Sequence, residues 1–235
     1  MTTVPFPSPT VPADSRAEVF TRYLDFFRDR LASKISELPA GELRRSRLPS
    51  GWTPLELLKH LTYVELRWLE WGFEGRDVPD PWGDTRDDRW YVAPEETRDG
   101  LLADLAAQAE RSRAVIGRHD LDEVGQPGER WDGEPPATLE RVLFHLVQEY
   151  ARHLGHLDIV CELADGQTGE LFLLQGGEGG LLQVRVHAGN SVRAAEKPLR
   201  QHDDGQVPGR VDQPRHAEAA IPAVSAGEAA FGDDG

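Results

Sequence analysis

The stretch Thr138–Gly166, TLERVLFHLVQEYARHLGHLDIVCELADG, constrains this chain more than any other: it reads as one proline-free helix carrying four side chains able to bind a metal. Thr138 can cap its start by accepting a hydrogen bond from a first-turn N–H, and Asp165-Gly166 supplies the stop, with glycine free to turn left-handed. At about 100° per residue, Leu139, Val142, Leu143, Leu146, Tyr150, Leu154, Leu157 and Cys161 fall on one apolar face, which must be packed against other elements. Glu140, Arg141, Gln148, Arg152, Asp158 and Glu162 point the other way. His145, Glu149, His153 and His156 share a narrow arc at the edge of the apolar face, and the i,i+4 spacing of Glu149 and His153 stacks their side chains.

A histidine on a helix is most often a surface residue or a hydrogen-bonded core residue. One helix also supplies only two ligands in good geometry, whereas a zinc site takes three or four donors. A further donor must come from elsewhere. Thr53-Pro54-Leu55-Glu56 is a strong helix start, with threonine as cap, proline at the first helical position and glutamate placed to close a capping box. The helix that follows, to about Trp71, sets Leu57, Leu61, Val64, Trp68 and Trp71 on one face with His60, the obvious third donor.

The rest of the chain supplies partners for these two helices. Val19, Phe20, Tyr23, Leu24, Phe27, Leu31 and Ile35 recur at three and four, predicting a first helix from about Ala13 to Leu38. Pro94 to Arg118 reads as a third, with Leu101, Leu102, Leu105, Ala109 and Val115 inward. Gly72 to Ala93 is a tryptophan- and aspartate-rich connection, too proline-broken for a helix. Loops of this kind often cover a site, and Trp82, Trp90 and Tyr91 are placed to line its mouth or to pack on the bundle. Residues 1–12 form a proline-rich arm with no apolar period. Residues 171–235 read as a low-complexity tail, mostly disordered from about Gln175, in which Leu181 to Val186 can form a strand and His187, His202 and His216 are given no role. Four amphipathic helices over residues 13–170 predict an all-α four-helix bundle.

Charge narrows the partners. Lys+Arg 26 against Asp+Glu 41 gives 26 − 41 = −15, which opposes binding to nucleic acid or an anionic membrane. A single cysteine excludes an intramolecular disulfide, and there is no signal-like segment or membrane-length apolar run, so a cytoplasmic protein is expected. Arginine outnumbers lysine 23 to 3, the mark of a GC-rich bacterial genome.

With these helices in place, LLKHLTYVE on the second and HLVQEYARHLGHLDIV on the fourth resemble the DinB-like superfamily, in particular the metal-binding N-terminal domain of mycothiol-dependent maleylpyruvate isomerase. The resemblance covers roughly Ser15 to Glu170. In that superfamily a histidine on the second helix and a His or Glu, x-x-x, His pair on the fourth hold a divalent metal, zinc or nickel, at the open end of the bundle. Carried over, these are His60, Glu149 and His153. Glutamate at the first position of the pair departs from the all-histidine form and looks like the isomerase branch. His156, following Gly155 where many members have glutamine, is expected beside the ligands or as a substitute for one, as is His145.

Two histidines, a carboxylate and an open position describe a catalytic metal site in which a water or thiol takes the remaining place. Cys161 lies on the apolar face, so a thiol nucleophile would be a cofactor. The resemblance implies mycothiol, a small electrophilic substrate, and S-transfer or thiol-assisted isomerisation. Arg67, Arg86, Arg89 and Arg152 are the cations available for an acidic substrate. The other reading is a stress-related bundle that binds a metal or ligand without turnover, and the sequence leaves a homodimer open.

Overall fold

Ser15 accepts a hydrogen bond from the Glu18 N–H and opens α1, Arg16–Glu37. The second helix starts with the expected capping box, Thr53 and Glu56 each bonding the other's backbone N–H, and runs as α2 over Pro54–Glu65. α3 spans Arg98–Arg118 behind the Thr97 cap, four residues later than the sequence pattern suggests, because Thr97 satisfies the Gly100 N–H. α4 spans Leu139–Asp165, capped by Thr138 and ended by Gly166 at φ 77°. The structure, a computed structural model, describes residues 4–176 and 180–187.

α1 packs against α4 and α3, and α2 against the same two, so the four apolar stripes close one core. Leu24, Leu31, Leu57, Leu61, Val115, Leu143 and Leu146 meet there with no accessible surface. The fold is thus an all-α bundle, and among the described residues no helix is long and apolar enough to cross a membrane. On the arm, Phe6 packs edge-on against Phe26 of α1, with ring centroids 5.3 Å apart.

Two features depart from the sequence pattern. The second helix does not stay α-helical to Trp71: from Leu66 to Phe73 it is a π-helix, with Glu74 N–H reaching back five residues to Leu69 O at 3.0 Å. The wider turn rephases the face. After Val64 the buried apolar positions are Leu69 and Phe73, while Trp68 and Trp71 are only half-buried. The second departure follows α4, where β3 (Gln167–Gly176) pairs antiparallel with β4 (Gly180–His187), Leu174 opposite Leu182 and Gly176 opposite Gly180. Leu181–Val186 is therefore in a strand, as the sequence allows, and its partner begins within the expected bundle and reaches just past Gln175, where disorder was expected to begin, since pairing supplies the hydrogen bonds one isolated strand lacks. All described elements belong to the compact unit Met1–Ser191. The remainder of the expected tail, from residue 188, lies outside the described residues.

The bundle interior is not wholly apolar. Glu65 of α2, fully buried, accepts from Arg28 Nε at 2.9 Å and Nη2 at 2.7 Å, from Ser112 Oγ at 2.5 Å and from the Tyr150 hydroxyl. One carboxylate thus joins all four helices. Burial alone would push its pKa up, but the Arg28 guanidinium and the hydrogen bonds outweigh this and hold it below the usual carboxylate range.

Removing one partner of a buried ion pair strands the other, at a cost of about 3–5 kcal/mol. Glu65→Ala is expected to destabilise the bundle by roughly that amount in urea unfolding at pH 7, and Glu65→Leu with Arg28→Met to recover most of the loss. Because the folded-state pKa is depressed, the carboxylate's contribution is full above the ordinary value of about 4 and disappears as pH falls through and below it. The difference between wild type and Glu65→Ala should therefore narrow in acid.

Candidate metal centre

The site is assembled by the connection between the π-helix and α3. Thr85–Arg86 (β1) and Arg89–Trp90 (β2) form a small antiparallel hairpin, with Thr85 opposite Trp90. Asp87 and Asp88 both have positive φ, 51° and 57°, the requirement of a two-residue primed turn whose twist suits a hairpin. The hairpin sets Asp84 and Trp90 side by side, and both close on His60. Asp84 Oδ2 lies 3.0 Å from His60 Nδ1, while the Trp90 ring stacks on the imidazole with centroids 4.1 Å apart and planes at 22°.

Asp84 is itself fully buried and held by Arg67, Nη1 to Oδ1 at 2.5 Å and Nη2 to Oδ2 at 3.1 Å. Arg67 also donates to the Pro81 carbonyl at 3.1 Å and lies over the Trp82 ring at 4.4 Å. Burial would raise the Asp84 pKa, but the hydrogen bonds from His60 and Arg67 prevail and keep the carboxyl below its ordinary value. An ionised Asp84 can only accept, so His60 carries its hydrogen on Nδ1 and keeps the Nε2 lone pair. Burial lowers the His60 pKa, only partly opposed by Asp84, which leaves a neutral imidazole at pH 7.

From the facing helix come Glu149 and His153, one turn apart, with Glu149 Oε2 3.2 Å from His153 Nε2. His60, Glu149 and His153 each bring one ligand atom to within 4.8 Å of the others. Donors on one tetrahedral zinc at bond lengths of about 2.0–2.2 Å stand roughly 3.3–3.6 Å apart, a spread that small side-chain rotations reach. Two further observations fit a cation. The hydrogen bond from His153 first, and the neighbouring imidazoles after it, hold Glu149 below the usual carboxylate range. The buried Nδ1 of His153 has no hydrogen-bond partner, so the protein alone uses only half of that ring's capacity. The Asp84–His60 pair has the carboxylate–histidine arrangement that commonly fixes the tautomer and orientation of a metal-bound imidazole.

The structure therefore brings together the three residues singled out from the sequence and leaves the other two histidines at their flanks. His145 Nε2 is 3.6 Å from Glu149 Oε1, and its ring is 4.4 Å from that of Trp68. His156 stands with its ring 5.7 Å from that of His153. Neither belongs to the group of three. Burial lowers the pKa of both. Trp90 was among the aromatic residues expected at the mouth and is part of the site. Asp84 was not expected: it is one of five aspartates between Gly72 and Ala93, and nothing in the spacing marks it out. Of the four arginines, Arg67 is committed to Asp84, and Arg86, Arg89 and Arg152 are exposed.

No curated protein matches the chain. Among solved structures it is similar to the conserved protein of locus from Enterococcus faecalis, with 18% identity, a TM-score of 0.46, and coverage of 66% of this chain and 100% of that one. A family model described as mycothiol-S-transferase matches residues 19–166, which hold most of α1, all of α2 to α4, the hairpin loop and all three converging donors. This match covers well over half of the chain, which therefore belongs to the mycothiol-S-transferase family of DinB-like proteins.

Proposed function

We propose that the protein is a metal-dependent S-transferase that joins mycothiol to a small electrophile, with His60, Glu149 and His153 holding one divalent ion, zinc or nickel. The observation that carries this reading is the convergence of the three donors within 4.8 Å, inside the span matching the mycothiol-S-transferase family. A divalent ion with three protein ligands and an open position favours the thiolate form of a bound thiol near neutral pH.

The chain's own part is to orient and enclose. Asp84 keeps the hydrogen of His60 on Nδ1, Arg67 keeps Asp84 ionised, and Trp90 fixes the plane of the ring. Glu149 supplies the one carboxylate among the three donors, so a dication keeps a net positive charge that suits an anionic sulfur. In the overall substitution the thiol gives up its proton, carbon–sulfur bond formation accompanies cleavage of the bond to the leaving group, and that group departs with the electron pair. Cys161 is buried in the core and is not the sulfur nucleophile.

Protein purified without chelator is expected to carry close to one divalent ion per chain by elemental analysis, and Glu149→Ala with His153→Ala to lose it. Asp84→Asn should weaken zinc affinity about 10- to 100-fold in competition with a chromophoric chelator, because it leaves all three donors in place and removes the carboxylate that orients His60. Wild-type protein that retains no metal after reconstitution with zinc and with nickel would overturn the site.

Thiol binding separates the transferase from a bundle that binds metal without turnover. In cobalt-substituted protein, mycothiol should produce a sulfur-to-metal charge-transfer band. His60→Ala should abolish the band by removing a ligand from the opposite helix, whereas His145→Ala should weaken it only modestly. A cobalt spectrum indifferent to millimolar mycothiol and other low-molecular-weight thiols would leave the non-catalytic reading standing.

A further inference from the structure

Arg130 sits in the Glu129–Trp131 turn of 3-10 helix that precedes α4. Its Nε is buried without a hydrogen-bond partner, and among the described residues the guanidinium takes part in no hydrogen bond or ion pair. The contrast with the other arginines of the interior is sharp, since Arg28 is paired with Glu65 and Arg67 with Asp84. Nor is Arg130 merely trailing in solvent: its guanidinium lies 3.9 Å above the centroid of the Trp68 ring. Its stem runs close to Gly72, where a Cβ would come within 3.1 Å of Arg130 Cγ and 3.0 Å of the Arg67 carbonyl oxygen. A glycine in the π-helix thus makes room for the arginine.

The location adds the second half of the argument. The Trp68 ring that carries Arg130 is 4.4 Å from the His145 ring, and His145 Nε2 is 3.6 Å from Glu149 Oε1. The cation is therefore one aromatic ring and one imidazole away from the three converging donors. Trp68, Trp131 and His145 also line a cleft of about 500 Å³ with Glu134, Arg141 and Val142, and Arg130 meets that cleft through its stack on the Trp68 ring rather than as part of the lining. An unpaired guanidinium presents a planar fork of donors that matches a carboxylate in two-point contact, and aromatic walls suit a flat apolar body.

We infer that Arg130, laid across Trp68, anchors the carboxylate of the electrophile, so that this transferase prefers acidic, planar acceptors to their neutral counterparts. The anion belongs to the second substrate because the thiol's place is at His60, Glu149 and His153. Identification of the ligand as an acceptor rests on the transferase reading; the existence of the anion subsite does not.

The test uses metal-loaded protein and two isosteric probes, 3-nitrobenzoate and 3-nitrobenzamide, titrated by calorimetry without thiol. The acid should bind at least 10-fold more tightly than the amide. Arg130→Met should remove that preference by weakening the acid at least 10-fold and the amide less than twofold, and Arg130→Lys should restore part of it. In the cobalt protein, Arg130→Met should leave the midpoint of the mycothiol titration unchanged. Equal binding of acid and amide by the wild type overturns the proposal, and this arm needs no variant to fold. Preference that survives in Arg130→Met and disappears on metal removal also overturns it, by assigning the carboxylate to the ion. Turnover of 4-chloro-3-nitrobenzoate and its amide with mycothiol then distinguishes the two failures. Equal rates on both acceptors would sink the subsite and keep the transferase, whereas selective binding of the acid with no turnover of either would do the reverse.

Discussion

The buried Asp84 carboxylate is the contact on which the rest of the site depends. It lies in a loop, has no accessible surface, and is shared by His60 of α2 and Arg67 of the π-helix that continues it. A charge in such a place is tolerated only when its lone pairs are taken up and a countercharge is at hand, and both conditions are met by residues seven apart on one continuous helix. The loop cannot leave without exposing that helix's unpaired arginine, and the helix cannot rotate without breaking the loop's anchor. The placement of the His60 donor, the loop position and the histidine tautomer are therefore one structural decision.

A second buried carboxylate, Glu65, repeats the principle deeper in the bundle. Its acceptor capacity is met by Arg28 on α1, Ser112 on α3 and Tyr150 on α4. Apolar stripes alone leave neighbouring helices some freedom to slide or rotate, because hydrophobic burial is non-directional. A hydrogen-bonded carboxylate at the crossing removes that freedom. His60 lies five residues before Glu65, and His153 three residues after Tyr150, so the polar crossing in the core fixes the relation between the two helices that present the donors.

Much of this was legible in the sequence for a simple reason: helix periodicity and caps are local. The Thr53 and Thr138 caps, the Gly166 stop, and the arc of Glu149 and His153 need only the spacing of neighbouring residues, and the structure has them where that spacing puts them. His60 stood out by its place on the core face of the second helix, and the resemblance to DinB-like proteins paired it with Glu149 and His153, 89 and 93 positions away, which no spacing along one helix could do. What remained hidden depends on tertiary contact. Asp84 is one aspartate among five in its loop, and only the hairpin's fold makes it the one that reaches His60. The π-helix was hidden because Leu66–Phe73 continues an apolar pattern that a 3.6-residue period fits nearly as well, and the difference lies in whether Trp71 or Phe73 enters the core.

That π-helix makes length, rather than composition, the tightly specified property of its segment. Each residue of an α-helix advances the chain by about 100°, and the wider turns between Leu66 and Phe73 already hold more residues than α turns would, so a residue inserted there would have no slack to absorb it and would swing everything beyond it. Glu70 and Phe73 would lose their burial, and the loop carrying Asp84 and Trp90 would set out in a different direction from a helix whose first half still held His60 in place. Substitutions can be absorbed here one contact at a time. An insertion of a single residue would disconnect the front of the helix from the back.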